Sequence, residues 1–185
     1  MIKATFELLQ EVGLQKTTTK KIAKQAGVNE ATVFRKFDNK KNLVEATKNY
    51  YMNILISKLE DIFDFTGDEE IEDYIKRNFY ELLHLPDEEF SVIKLAMEEV
   101  RDITNRKLLI SRITSAIILK IKAFFEAQIE KGKVRDIDST ALSVMVFSIT
   151  FQSIVLWKVY NEDSSLKNHD FTDSVLYALM NSIKA

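Results

Sequence analysis

One proline and four glycines in a chain of 185 residues leave few places where the backbone can turn sharply. An all-β protein of this length needs many tight turns, and Gly and Pro are the residues that make them. Apolar residues instead recur at helical spacing along most of the chain. The sequence therefore predicts an all-α fold.

Nine helices can be drawn from that periodicity and from the stop and start residues. They cover about 2–12, 19–25, 30–37, 40–65, 69–84, 87–103, 105–131, 138–160 and 171–184. Gly13 ends the first and Gly132 follows the seventh. Thr18 or Thr19 caps the second, and Asn29 caps the third. Pro86, followed by Asp87, Glu88 and Glu89, has the composition of a helix start. A polar stretch at 161–170 separates the last two helices.

The composition, 46% hydrophobic and 29% charged, is that of an ordinary folded chain. The length suits one domain, or a small module on a larger body. There are no cysteines, so disulfides, thiolate metal sites and a Cys nucleophile are excluded. This fits a cytoplasmic protein, and no signal peptide opens the chain. The formal net charge of −2 hides an asymmetry. Residues 1–48 carry ten Lys/Arg against five Asp/Glu, a net +5, and the remainder sixteen against twenty-three, a net −7. A basic head on an acidic body suits an anionic partner; a solvated basic face gives the same count.

The stretch TTKKIAKQAGVNEATVFRKF, from Thr18 to Phe37, gives that head a shape. Ile22 and Ala26 share one helical face, and Ala23 is small enough for another helix to cross closely. Gly27 leaves the helix where a positive φ is often needed, and Val28 can plug the angle. Val33 and Phe37 then form the inward stripe of the next helix. This is a helix-turn-helix pattern. Ala31, Thr32 and Arg35 point away from the stripe, with Phe34 and Lys36 on its flanks and Glu30 at the exposed start. An Arg35 guanidinium can fork onto guanine O6 and N7, and Glu30 can accept from cytosine N4. Thr18, Thr19, Thr32 and Lys40 suit phosphates. A short helical hairpin with no DNA to read is the other reading of these twenty residues.

The wider segment, ATFELLQEVGLQKTTTKKIAKQAGVNEATVFRKFDNKKNLVEA, closely resembles the DNA-binding domain of the tetracycline-repressor (TetR) family of transcriptional regulators. The resemblance covers about 2–46. It implies an all-α homodimer with a helix-turn-helix domain over 1–46 and a helical effector-binding and dimerisation domain over 47–185. It further implies a repressor that binds a palindromic operator and is released when a small-molecule effector shifts the fourth helix. On this resemblance Glu30, Ala31, Phe34, Arg35 and Lys36 read bases, and Thr18, Thr19, Thr32, Phe34 and Lys40 hold phosphates. Position 34 is usually Tyr, and Phe34 lacks the hydroxyl that would meet a phosphate. Many relatives place a basic arm before the first helix, and none is expected here.

Residues 140–160 are apolar on nearly all sides, as in a helix that is buried on both flanks or spans a membrane. Its serines, Thr150 and Gln152 dilute the run, and a helix set between its own core and a dimer partner has the same signature. Val144, Phe147, Phe151 and Val155 on this helix, and Phe171, Val175, Leu179 and Ile183 on the last, are the expected dimer residues. His84, Glu98, Arg101, Phe124, Gln128, Phe151 and Gln152 are the candidate effector contacts. An aromatic stripe at helical spacing equally suits a plain core. No cofactor or metal is expected. The chain has two His, no Cys, no phosphate loop and no HExxH-type pair, so it does not read as an enzyme. The alternative function is a TetR-like DNA-binding protein without an effector, an architectural or spatial regulator.

Overall fold

The structure, a computed structural model, describes residues 1–98, 109–158 and 169–184. Among them the chain forms nine α-helices, and the all-α expectation holds. They are α1 (Ile2–Lys16), α2 (Thr19–Gln25), α3 (Glu30–Phe37), α4 (Lys40–Ile62), α5 (Ile71–Leu83), α6 (Asp87–Glu98), α7 (Leu109–Glu130), α8 (Ser139–Lys158) and α9 (His169–Ile183). The expected end of the sixth helix, the start of the seventh and most of the polar stretch at 161–170 fall outside the described residues. The fourth helix stops at Ile62, short of the expected Phe65. The reason is Arg77. Its guanidinium donates to the carbonyls of Ile62 (2.6 Å) and Asp64 (2.8 Å) while also pairing with Glu69. Carbonyls at a helix end have no partner within the helix, and this fork supplies one.

Within α1, Gly13 breaks the helix with φ 74 and ψ 169, a conformation that only glycine adopts readily. The chain then closes one more turn through Thr17, whose hydroxyl and amide both donate to the Gly13 carbonyl.

The described chain divides into two compact units, Met1–Ser57 with Asp87–Leu109, and Lys58–Pro86 with Ile110–Ala185. The division falls inside α4, as does the expected functional boundary after residue 46.

The first unit packs α1 on α2 and α2 on α3. Leu8, Ile22, Ala23, Val33 and Leu43 form its buried cluster, with Val28 and Phe37 packed against it. Further along, the Phe6 ring stacks on Tyr51 at 3.7 Å.

In the second unit α5 packs on α8 and α9. Its core is aromatic: Tyr74 stacks on Phe124 at 3.7 Å, with Phe65 and Phe125 edge-on to Phe124. The end of α9 is tied back by the Arg135 amide, which donates to the Ile183 carbonyl, and by a bridge between Val134 and Lys184.

Candidate nucleic-acid interface

Two caps and a glycine set the geometry of α2 and α3. The Thr18 hydroxyl accepts from the Lys21 amide (3.2 Å), which starts α2. Asn29 accepts from both the amide and the hydroxyl of Thr32, each at 2.8 Å, and starts α3. Between the helices Gly27 sits at φ 65, and the Val28 amide returns to the Ala23 carbonyl. With Ile22 and Val33 both fully buried, the inner stripes leave α3 one way to face.

Its outer face matches the expectation in part: Glu30 and Thr32 are less open than expected. Ala31, Phe34, Arg35 and Lys36 are exposed, and Glu30 and Thr32 are half-buried. Phe34 keeps 47% of its surface exposed, high for an apolar ring with no hydroxyl to solvate. The Lys36 ammonium lies 5.7 Å from the Phe37 ring centroid, within reach of a cation–π attraction.

The remaining candidates are tied to the protein itself. Thr19 donates to a Glu30 carboxylate oxygen at 2.6 Å, joining the first residues of α2 and α3. Lys40 donates to the Leu14 carbonyl at 2.8 Å, and Lys21 to the Lys16 carbonyl at 3.0 Å. Both ammonium groups thus sit on carbonyls that close α1, with further N–H donors to spare. Lys20, Lys21 and Lys24, all exposed on α2, add to the positive charge of this unit. The charge count pointed to them, but no motif singled them out.

The candidate effector contacts are scattered. Phe124 and Gln128, one turn apart on α7, are completely buried. The Gln128 amide nitrogen donates to the Glu69 carbonyl, while its oxygen has no hydrogen-bond partner among the described residues. Phe151 is half-buried and stacks with Phe147 at 5.4 Å. His84 and Gln152 are exposed, and the His84 ring stacks on Tyr80. The Glu98 side chain and Arg101 lie outside the described residues. Asn78, which the sequence did not single out, is buried beside Tyr74 with neither carboxamide atom in a well-formed hydrogen bond. Burial also pushes the Tyr74 hydroxyl well above the ordinary tyrosine range. A crevice of about 590 Å³ in the same unit is lined by Asp64, Asp68, Glu69, Glu70, Asp73 and Arg77, among others. No group of three or more His, Asp or Glu among the described residues is placed to hold a metal ion.

Of the expected dimer residues, Val144 is 44% exposed, and Phe147, Phe151 and Val175 are half-buried. Val155, Leu179 and Ile183 are buried in the chain's own core, and the Phe171 side chain lies outside the described residues. Among the described side chains, the large apolar groups that α8 and α9 leave open are Val144, Met145, Ile149 and Tyr177. The segment Ser139–Leu156 is long and apolar enough to cross a membrane, and 39% of it is buried.

Residues 1–47 match the model of the family described as bacterial regulatory proteins, tetR family. Over 46 residues the chain is 52% identical to the uncharacterized HTH-type transcriptional regulator YvkB of Bacillus subtilis, a match covering 25% of this chain and 24% of that one. Over 65 residues it is 35% identical to the nucleoid occlusion factor SlmA of Vibrio cholerae, covering 35% and 33%. The matched segments thus span between a quarter and a third of these relatives. Among solved structures, a TetR family transcription regulator from Marinobacter aquaeolei shares the fold with a TM-score of 0.63 at 16% identity, over 99% of this chain and 93% of that one. The regulator FadR from Bacillus subtilis, in complex with stearoyl-CoA, does so with a TM-score of 0.62 at 23% identity, over 98% and 97%. Residues 1–47 thus carry the sequence pattern of the tetR family of bacterial regulatory proteins, and the chain shares the fold of solved TetR family regulators along its length.

Proposed function

We propose that the chain is a transcriptional repressor that binds a palindromic operator as a homodimer and is released by a small-molecule effector. The outer face of α3 carries this reading. Its inner stripe is spent on the core, yet Ala31, Phe34, Arg35 and Lys36 stand exposed on a helix of the width that a major groove admits. Thr18 and Lys40 border that face and supply phosphate contacts; the Thr32 hydroxyl, expected to do so, is spent on Asn29. Residues 1–46 act as the DNA-binding domain and 47–185 as the effector-binding and dimerisation domain.

One eight-residue reading helix makes few base contacts, so two copies are needed for tight recognition. The open apolar groups of α8 and α9, Val144, Met145, Ile149 and Tyr177, support a partner copy there in preference to lipid. Serines and Gln152 interrupt the α8 face, and α9 contributes polar Ser174 and Asn181 beside Tyr177. The protein then works in the cytoplasm. Two-fold symmetry of the dimer sets half-sites about 34–36 Å apart or a multiple of that.

An effector fits the second unit, where, among the described residues, the buried Asn78 carboxamide and the Gln128 amide oxygen have no hydrogen-bond partner. That FadR of the same fold is solved with stearoyl-CoA supports an amphiphilic ligand class. The relative SlmA, a nucleoid occlusion factor, supports a second reading: a DNA-binding regulator with no effector, acting in the spatial organisation of DNA.

The test is selection of binding sites from random duplex DNA, with sedimentation of the complex, followed by a thermal-shift ligand screen. A palindromic consensus bound by a dimer upholds the first part. A ligand that raises the melting temperature and releases DNA upholds the second. Selection of sites with no ligand response favours the second reading, and a chain that selects no sequence sinks both.

A further inference from the structure

Glu30 has an arrangement unlike that of a base-reading carboxylate. Its oxygen is only 2.6 Å from the Thr19 hydroxyl, within the range of a charge-assisted O–H···O⁻ bond. Thr19 is the first residue of α2 and Glu30 the first of α3. Both side chains are half-buried, and each lies beside a cap, Thr18 for α2 and Asn29 for α3. A carboxylate in the first turn of a helix is also favoured by the partial positive charge of the helix N-terminus. Thr19 has a single hydroxyl proton, and while it goes to Glu30 none is left for a phosphate.

We infer that Glu30 is a positioning residue: through Thr19 it braces the start of α3 against the start of α2, and it does not read a base. The inference rests on the DNA-binding reading only for its effect on recognition. The brace itself exists in the free protein. It removes the Thr19 hydroxyl from the phosphate contacts, as the bond to Asn29 removes that of Thr32, and Thr18 and Lys40 remain. It also gives the negative charge of Glu30, set among DNA contacts, a reason to be there. The angle of α3 decides which base edges Arg35 and Lys36 reach, so a brace at its first residue acts on every contacted position together.

The experiment is a double-mutant cycle on the full chain with Thr19→Val, Glu30→Ala and the pair, plus Glu30→Gln. In the free protein each single change lowers the melting temperature, and the pair lowers it no further than the larger single change, because each removes the same bond. Additive shifts overturn the brace. On DNA, at fixed salt, Thr19→Val and Glu30→Ala both lower affinity for the selected site by the same factor, up to about tenfold, because the angle of α3 must then be fixed at the cost of binding energy. Neither changes the preferred base at any position, and Glu30→Gln, which still accepts from Thr19, recovers most of the loss. If Glu30→Ala erases one symmetric pair of base preferences while Thr19→Val keeps them, Glu30 reads a base and the inference falls. If the wild type selects no DNA sequence, the DNA-binding reading fails. The melts alone then decide: non-additive shifts uphold the brace and additive shifts overturn it.

Discussion

The α2–α3 pair and the aromatic core under α5 and α7 are both tightly packed, but they are held together over different distances along the chain. In the first, the caps join residues three apart, Thr18 to Lys21 and Asn29 to Thr32, and the brace joins residues eleven apart. In the second, Gln128 reaches Glu69 across 59 residues, Lys133 reaches Glu70 across 63, and Lys158 reaches the Leu85 carbonyl across 73. The head is specified by local chemistry on a small cluster of aliphatic residues. The body is specified by which aromatic ring meets which. A surface that must present a few side chains at fixed angles is served by short, rigid rules.

That contrast predicts where damage is largest. Phe124→Ala removes a fully buried ring that touches Tyr74, Phe65 and Phe125. It should cost about 3–5 kcal/mol in urea denaturation, the range for aromatic-to-alanine changes in cores. Asn29→Ala, which removes the α3 cap, should cost about 0.5–2 kcal/mol. A larger loss from the cap than from the ring would break the comparison.

The glycines sharpen it. A Cβ added at Gly13 or at Gly27 meets no atom within 4 Å, so any cost is in the backbone alone. Gly27 (φ 65) lies in the left-handed region, where alanine costs about 1–2 kcal/mol. Gly13 (φ 74, ψ 169) lies where a side chain is barely tolerated, at about 1–3 kcal/mol. Gly13→Ala should therefore destabilise more than Gly27→Ala, and Gly27→Asn less than either. Paired thermal melts of the three variants decide this. Equal shifts would mean that α1 can close without its break.

The same contrast explains what could be read from the sequence. The cap at Asn29, the turn at Gly27, the buried Val33 and the exposed Ala31, Phe34, Arg35 and Lys36 all follow from spacing within a few residues, while the first cap was narrowed only to Thr18 or Thr19. The bounds of α2 and α3 match the expectation to the residue. Glu30 and Lys40 were legible as polar groups at helix starts. Their partners, Thr19 and the Leu14 carbonyl, depend on how helices cross, which periodicity does not encode. In the body, spacing gave the helices but not their rotation. On α8 Val155 shares a periodicity with Val144, yet Val144 is open and Val155 is buried; on α9 Val175 is half-buried while Leu179 and Ile183 on the same stripe are buried. On an α8 apolar all round, no polar side marks which stripe faces inward. Asn78 was invisible because an isolated Asn in a helix reads as surface.

Tyr74 tests the core by pH. Burial raises its hydroxyl pKa well above the ordinary value, and the hydroxyl donates to the Phe63 carbonyl at 3.1 Å. A folded-state pKa above the unfolded one means that the folded chain holds the proton longer. The stabilisation is complete below about pH 10 and is lost as pH rises from there through the raised value. Unfolding free energy should therefore fall steadily above pH 10. Tyr74→Phe should cost about 1 kcal/mol at neutral pH, from the lost hydrogen bond, and should flatten that alkaline decline. Tyr51, also raised by burial, leaves a residual slope. An unchanged alkaline limb in Tyr74→Phe would mean that its hydroxyl ionises freely in the folded state.

Lys40 is the smallest case in stability and the sharpest in function. Its bond to the Leu14 carbonyl is exposed at the surface, and Lys40→Ala should change the melting temperature little, within about 0.5 kcal/mol. On DNA the ammonium has donors left over for a phosphate while it stays on the carbonyl, because Lys carries three. A phosphate contact positions the protein without reading sequence, so the variant should bind every duplex more weakly by the same factor. Each lost contact lowers the slope of log K against log salt by about 0.9, or about twice that for a symmetric dimer. The measurement is a salt titration of operator and of unrelated DNA with wild type and Lys40→Ala. A uniform loss with a reduced slope places Lys40 on a phosphate. An unchanged slope with lower stability would confine it to closing α1. A loss confined to the operator would mean that α3 has tilted, since Lys40 follows directly on the turn that ends it.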